Sequence, residues 1–268
     1  MNLSGKTVRL NFKLFFSLVI AAAWYLAPGS AVADTLKDDA VARLAAIHDP
    51  TIAIAIGSLV VKQAGLETIR SLLAQRGSAA GLGKDWNVSA PEWQSAETQL
   101  QAIVDENIAT RIRDPAWFHR SWANLAAALL NAEEADDLAA HFATAGGKKQ
   151  RVVIELVVVG EMVMTNYSFT GRIGQNVKGS ESEMAQLQAV WWEREPYRPR
   201  DFSGDQGALR FVSAPVSIRY VKMLAIQGVE AITRHVDAVV ATTRHALQQR
   251  QSEIDPMIAA FRERSGNR

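Results

Sequence analysis

The sequence predicts an all-α fold, an irregular bundle of about seven to nine helices behind an export signal. Three observations predict it. Apolar residues recur at three- and four-residue spacing along most of the chain, which gathers them on one face of a helix. Helix-boundary residues separate these runs, among them Asn131 and the Asp-Pro pairs at 49–50, 114–115 and 255–256. The one stretch rich in β-branched residues, 151–164, is too long for a buried strand and has no partner strand in view.

The N-terminus is expected to be removed. Lys6, Arg9 and Lys13 precede an apolar run of 13 residues, Leu14 to Leu26, which Pro28-Gly29 breaks. Ala31-Val32-Ala33 then offers a small-residue cleavage site, completing the pattern of a secretory signal peptide over 1–33. The run falls short of the roughly 20 residues of a membrane span, although an uncleaved anchor is the alternative. Cleavage after Ala33 leaves one helical domain over 34–268, with a possible sub-division near 195–204.

Charge and cysteine content narrow the function classes. The signal peptide takes three of the 29 Lys+Arg and none of the 28 Asp+Glu, leaving 26 against 28 and a formal charge of −2. A near-neutral exported chain lacks the basic excess of a nucleic-acid binder. With no cysteine at all, disulfides, thiolate zinc sites, a thiol nucleophile and a lipid-bearing cysteine are excluded. The expected compartment is the periplasm, with no membrane span in the mature chain.

The helices follow in order. Leu36, Ala40, Val41, Leu44 and Ile47 share a face, and Asp49-Pro50 stops that helix. Thr51 to Arg76 reads as a buried helix with Gly57 and Gly65 inside it, and 77–83 as a flexible connector. Ser89, Pro91 and Glu92 spell a helix start with serine as N-cap. Its apolar face is Trp93, Ala96, Leu100, Ile103, Val104 and Ile108, to about Arg113. After Asp114-Pro115 comes a helix bearing Trp117, Trp122, Leu125 and Leu129.

The segment NAEEADDLAAHFATAGGKK, 131–149, is dense in acids. Asn131 as N-cap and Glu134 three residues on make a capping box, and acids in a first turn are favoured by the helix dipole. Ala135, Leu138, Ala139 and Phe142 form the buried stripe, with Gly146-Gly147 expected as a left-handed C-terminal cap. The alternative is a cation site. Glu134, Asp137 and His141 lie within about 60° on one face. One helix supplies only part of such a site, however, and no second ligand cluster is evident.

The Trp93 helix, the acid-rich cap, Leu138-xxx-Phe142 and Gly146-Gly147-Lys148 together resemble a bacterial family catalogued as a domain of unknown function. Its members are secreted, small and all-helical. The family's segment runs from a serine or threonine through acids, a leucine and a phenylalanine (often with tyrosine after it) to a small residue, proline and glycine. Here Asn131 stands in the first place, Ala143 follows Phe142, and Ala145-Gly146 makes the last step. The resemblance spans about residues 50–150 and implies fold and compartment, but no activity and no catalytic residues.

Residues 151–164 read as an all-round apolar helix at a bundle centre. Glu155 and Glu161 interrupt it and are the candidate general acids, though six residues place them about 240° apart around the helix. The glycine-bearing stretch 166–179 reads as a loop without phosphate-loop spacing. Residues 191–202 interleave aromatics with arginines and prolines. Trp191, Trp192, Arg194, Tyr197, Arg198 and Arg200 are therefore the candidate partner-binding residues, with packing beneath a stiff connector as the alternative.

From Pro215 a helix of some 30 residues is expected, its stripe running Val216, Tyr220, Met223, Leu224, Ile232, Val236, Val239, Thr243 and Leu247, with Gly228 as a bend. His235 and His245 do not share a face, so they make no metal pair. Asp255-Pro256 opens a closing helix to Arg264.

No metalloprotease, nucleophile-elbow, P-loop or dinucleotide motif occurs. The expected function is a non-catalytic periplasmic interaction or accessory protein with no cofactor, its partner an envelope protein or peptidoglycan. The alternatives are a cell-wall hydrolase or lyase using Glu155 or Glu161, and a small-molecule or metal carrier using Glu134, Asp137 and His141.

Overall fold

The computed structural model describes residues 35–155, the positions Gly160, Val163 and Tyr167, and residues 214–266. Among them helix is the only regular structure, as the periodicity requires, and there is no strand. The described positions within 151–164 are helical too. The expected signal peptide, 1–33, and the expected loop, 166–179 apart from Tyr167, lie outside the described residues.

The elements are α1 (Thr35–Ile47), α2 (Thr51–Ala79), α3 (Pro91–Asn107), α4 (Ala116–Leu129), α5 (Ala132–Ala143), α6 (Ala145–Ile154), α7 (Pro215–Met223), α8 (Val229–Gln249) and α9 (Asp255–Gly266). A π-helical turn, Ile108–Ile112, continues α3, and another, Leu224–Gly228, joins α7 to α8. The second ends at the glycine expected to bend this helix.

α1 packs between α4 and α5, while α2 packs along α8 and α3, with α9 laid on α3. Their buried side chains form one continuous apolar cluster. α2 is long and apolar enough to cross a membrane, yet over half of its most apolar window is buried within the bundle. Its two internal glycines explain how it sits so close. A Cβ at Gly57 would meet Val236 at 3.1 Å and Ile112 at 3.2 Å, and one at Gly65 would meet Val104 at 2.6 Å.

Three local readings change. The N-cap of α3 is Ala90, not Ser89, because Pro91 occupies the first helical position. Glu92 then turns away from the cap and pairs bidentately with Arg264 at 2.6 and 2.8 Å, joining α9 to α3. The stretch 77–83 begins as helix, with Gly77 against the Trp86 indole and only Gly81 left-handed.

Gly146-Gly147 is the third. These glycines cap nothing: they form the first turn of α6. Thr144 alone joins α5 to α6, its hydroxyl donating to His141 O at 2.7 Å and accepting from Gly147 N–H at 3.0 Å. The turn is so tight that a Cβ on Gly147 would overlap the His141 carbonyl. Gly147→Ala is therefore expected to cost about 2–3 kcal/mol. Gly83→Ala, where nothing lies within 4 Å, should leave the thermal melt unchanged. Equal melts for the two variants would contradict this account of the α5–α6 turn.

Candidate functional site

The most chemically distinctive centre is buried at the junction of α1 and α2. His48 follows α1 and precedes the Asp49-Pro50 break, so its ring turns inward rather than along a helix face. It is 2% exposed, Glu155 at the end of α6 is 2% exposed, and Tyr220 in α7 is 1% exposed. His48 Nδ1 lies 3.1 Å from Glu155 Oε1, and its Nε2 contacts the Tyr220 hydroxyl. A carboxylate can only accept, so Nδ1 carries the proton and Nε2 accepts from the phenol.

Further bonds hold this junction from three sides. The Asp49 backbone N–H donates to Glu155 Oε1 at 3.0 Å. Arg151, one turn before Glu155, donates to the Ile47 carbonyl and lies 3.4 Å from Glu155 Oε1. His119 in α4 reaches the His48 carbonyl at 3.2 Å. Aromatic edges enclose the imidazole: Phe142 at 5.8 Å and Trp122 at 6.2 Å between ring centroids, with Trp122 stacked on Phe118 at 4.3 Å.

A carboxylate–imidazole–phenol chain can relay a proton in principle. Here the electrostatics oppose ionisation of the phenol. Burial first, then the Glu155 charge, push Tyr220 well above the usual phenol value of 10.0, and Arg151 only partly offsets them. Tyr220 is thus a neutral donor. The sign of the pH dependence follows. Its folded value lies above its unfolded one, so this contribution is complete below about pH 10 and is lost as pH rises beyond it. Between pH 10 and 11 the wild-type unfolding free energy, measured in urea, should fall more steeply than that of Tyr220→Phe, by up to about 1.4 kcal/mol per pH unit. Parallel curves would contradict the assignment.

The other candidate residues are placed as follows. Glu155, one of the two candidate acids, is part of the buried chain. Glu161 lies outside the described residues, as do Trp191, Trp192, Arg194, Tyr197, Arg198 and Arg200. Glu134 completes the capping box, donor and acceptor both in place at 3.1 and 2.9 Å, and also pairs with Arg219 of α7. His141 is bonded to Gln150, and Asp137 is exposed. These three are not brought together, and among the described residues no three His, Asp or Glu side chains converge as metal ligands.

A second feature lies at the surface. Where α3 ends in its π-helical turn and α4 begins, an open cleft of about 270 Å³ forms against α8. Trp117, fixed by its indole N–H on Ile112 O at 2.9 Å, stacks on His235 of α8, the rings parallel within 8° and 4.2 Å apart. His235 Nε2 lies 3.0 Å from the Arg111 carbonyl, which the end of that helix leaves without a partner of its own. Arg111, Arg120 and Asp114 supply the charged lining.

The sequence hid both features for the same reason. His48 is 107 residues from Glu155 and 172 from Tyr220. On its own helix His235 has only His245 as a like residue, whereas its partner is Trp117 of α4. A glutamate in an apolar run was the one legible signal. No family model, curated protein or solved structure matches this chain.

Proposed function

We propose that this chain is a non-catalytic helical interaction or accessory protein of the cell envelope, exported to the periplasm, which binds an envelope protein or peptidoglycan. The observation that carries this reading is a division of labour. The strongest acid–base constellation is sealed in the core and spent on itself, whereas exposed Arg111 and Arg120, the half-buried His235 and the edge of buried Trp117 line a surface cleft. A general acid must come within hydrogen-bond reach of its substrate. Glu155 instead accepts from His48 and from the Asp49 backbone inside the bundle. Its work is then to join α6 to the α1–α2 junction, which His48 in turn ties to α7 and α4. Trp and Arg, by contrast, are the residue types that dominate binding surfaces. The export pattern at 1–33 supports the compartment, and the sequence resemblance over 50–150 agrees with it.

The test is photocrosslinking in intact cells of the producing organism. A photoreactive residue replaces exposed Thr242 at the cleft or, as a control, exposed Gln75 on α2. A discrete envelope adduct from Thr242 and none from Gln75 is expected. Adducts from neither position, in folded and exported protein, would contradict the proposal.

A further inference from the structure

We propose that the Trp117–His235 cleft takes a carboxylate-bearing ligand, the carboxylate held by Arg111 and Arg120 and its body lying against the stacked rings. This rests on the interaction-protein reading and deepens it by naming the chemistry recognised.

Charge comes first. Arg111 and Arg120 set two permanent positive charges against one carboxylate in the lining, Asp114. Asp114 is partly committed already, accepting the Ala116 N–H at 2.9 Å in the turn that starts α4. Arg120 has no ion pair or hydrogen bond among the described residues. Arg111 uses its Nε on Asn107 at 3.2 Å, so its terminal amino groups remain to donate. A planar guanidinium fork matches a planar carboxylate in two parallel bonds, which is why arginine suits this group.

Shape comes next. On α8, Ala238 and Thr242 follow His235 at three and seven residues, one face of the helix, and both side chains are small. They leave an open cleft of about 270 Å³, enough for a carboxylate on a short or flat organic body. The aromatic pair is held rigid before any ligand arrives. Trp117 is anchored to Ile112 O and His235 to Arg111 O, both in the π-helical turn. Such turns recur at functional sites, and preformed geometry lowers the ordering cost of binding.

A peptide C-terminus and a free organic acid share this chemistry. Calorimetry on the folded mature chain separates them, using N-acetyl-Ala-Ala with its C-terminal amide, and benzoate with benzamide. At least one acid should bind at least about tenfold more tightly than its amide, and Arg120→Ala should abolish that preference. The better-bound acid identifies the source. In nuclear magnetic resonance, the acid should shift the Trp117 indole and His235 ring signals. Acids and amides that bind alike, no saturable binding of either acid, or an acid preference that survives in Arg120→Ala would each overturn the proposal. Thr242 crosslinking without an acid preference would remove the carboxylate assignment alone. An acid preference without crosslinking would instead count against the interaction reading.

Discussion

Glu155→Ala lowers stability by about 3–5 kcal/mol, the cost of removing one member of a buried charge-assisted pair. At 2–4 °C per kcal/mol for a chain of this size, its melting temperature falls by about 6–20 °C. The loss is large because one oxygen serves several partners. Without Glu155 Oε1, the His48 Nδ1–H and the Asp49 N–H lose their acceptor inside the bundle, and Arg151 loses its counter-charge. His48→Ala should be similarly damaging, because it strands Glu155 and the Tyr220 hydroxyl together. The double variant should therefore fall short of the sum of the two, with a coupling of about 0.5–3 kcal/mol. Urea unfolding of the three proteins measures it. Additive losses would show that the pair does not act as a unit.

Trp122→Ala is expected to cost about 3–5 kcal/mol by opening a cavity in the core. Trp122 stacks on Phe118 and presents an edge to His48. It also lies so close to Gly228, at the end of the second π-helical turn, that a Cβ there would meet its ring at 3.1 Å. Its indole N–H is buried without a hydrogen bond among the described residues, so its value lies in packing alone. Trp122→Phe should consequently lose much less than Trp122→Ala, since it keeps a ring and removes an unsatisfied donor. Equal losses would mean that the N–H, not the ring area, matters.

The legible parts of the molecule were those that local periodicity decides. The stripe of α3 emerged residue for residue and that of α8 lacked only Thr233 and Val240, since each buried position is set by its own helix. The Asn131–Glu134 capping box was readable because both partners lie within one turn. Gly146-Gly147 was misread because a glycine needed for backbone angle and one needed for close approach look alike in sequence. Only the packed His141 carbonyl distinguishes them. Ser89 misled for a related reason: Pro91 sets the helix start more firmly than a serine does. The buried His48 centre and the surface cleft were out of reach because each joins distant helices, His48 to Glu155 and Tyr220, and Trp117 to His235.

If Glu155 holds the bundle together while binding happens elsewhere, the two roles separate in Glu155→Gln, with melting and Thr242 crosslinking measured side by side. The amide nitrogen of glutamine would stand where Glu155 Oε2 now lies buried without a hydrogen bond among the described residues, and the charge facing Arg151 would vanish. Stability should fall by about 1–3 kcal/mol, while capture of the proposed partner, measured below the new melting point, stays at the wild-type level. An unchanged melting temperature with capture lost would contradict the claim and make Glu155 a functional carboxylate.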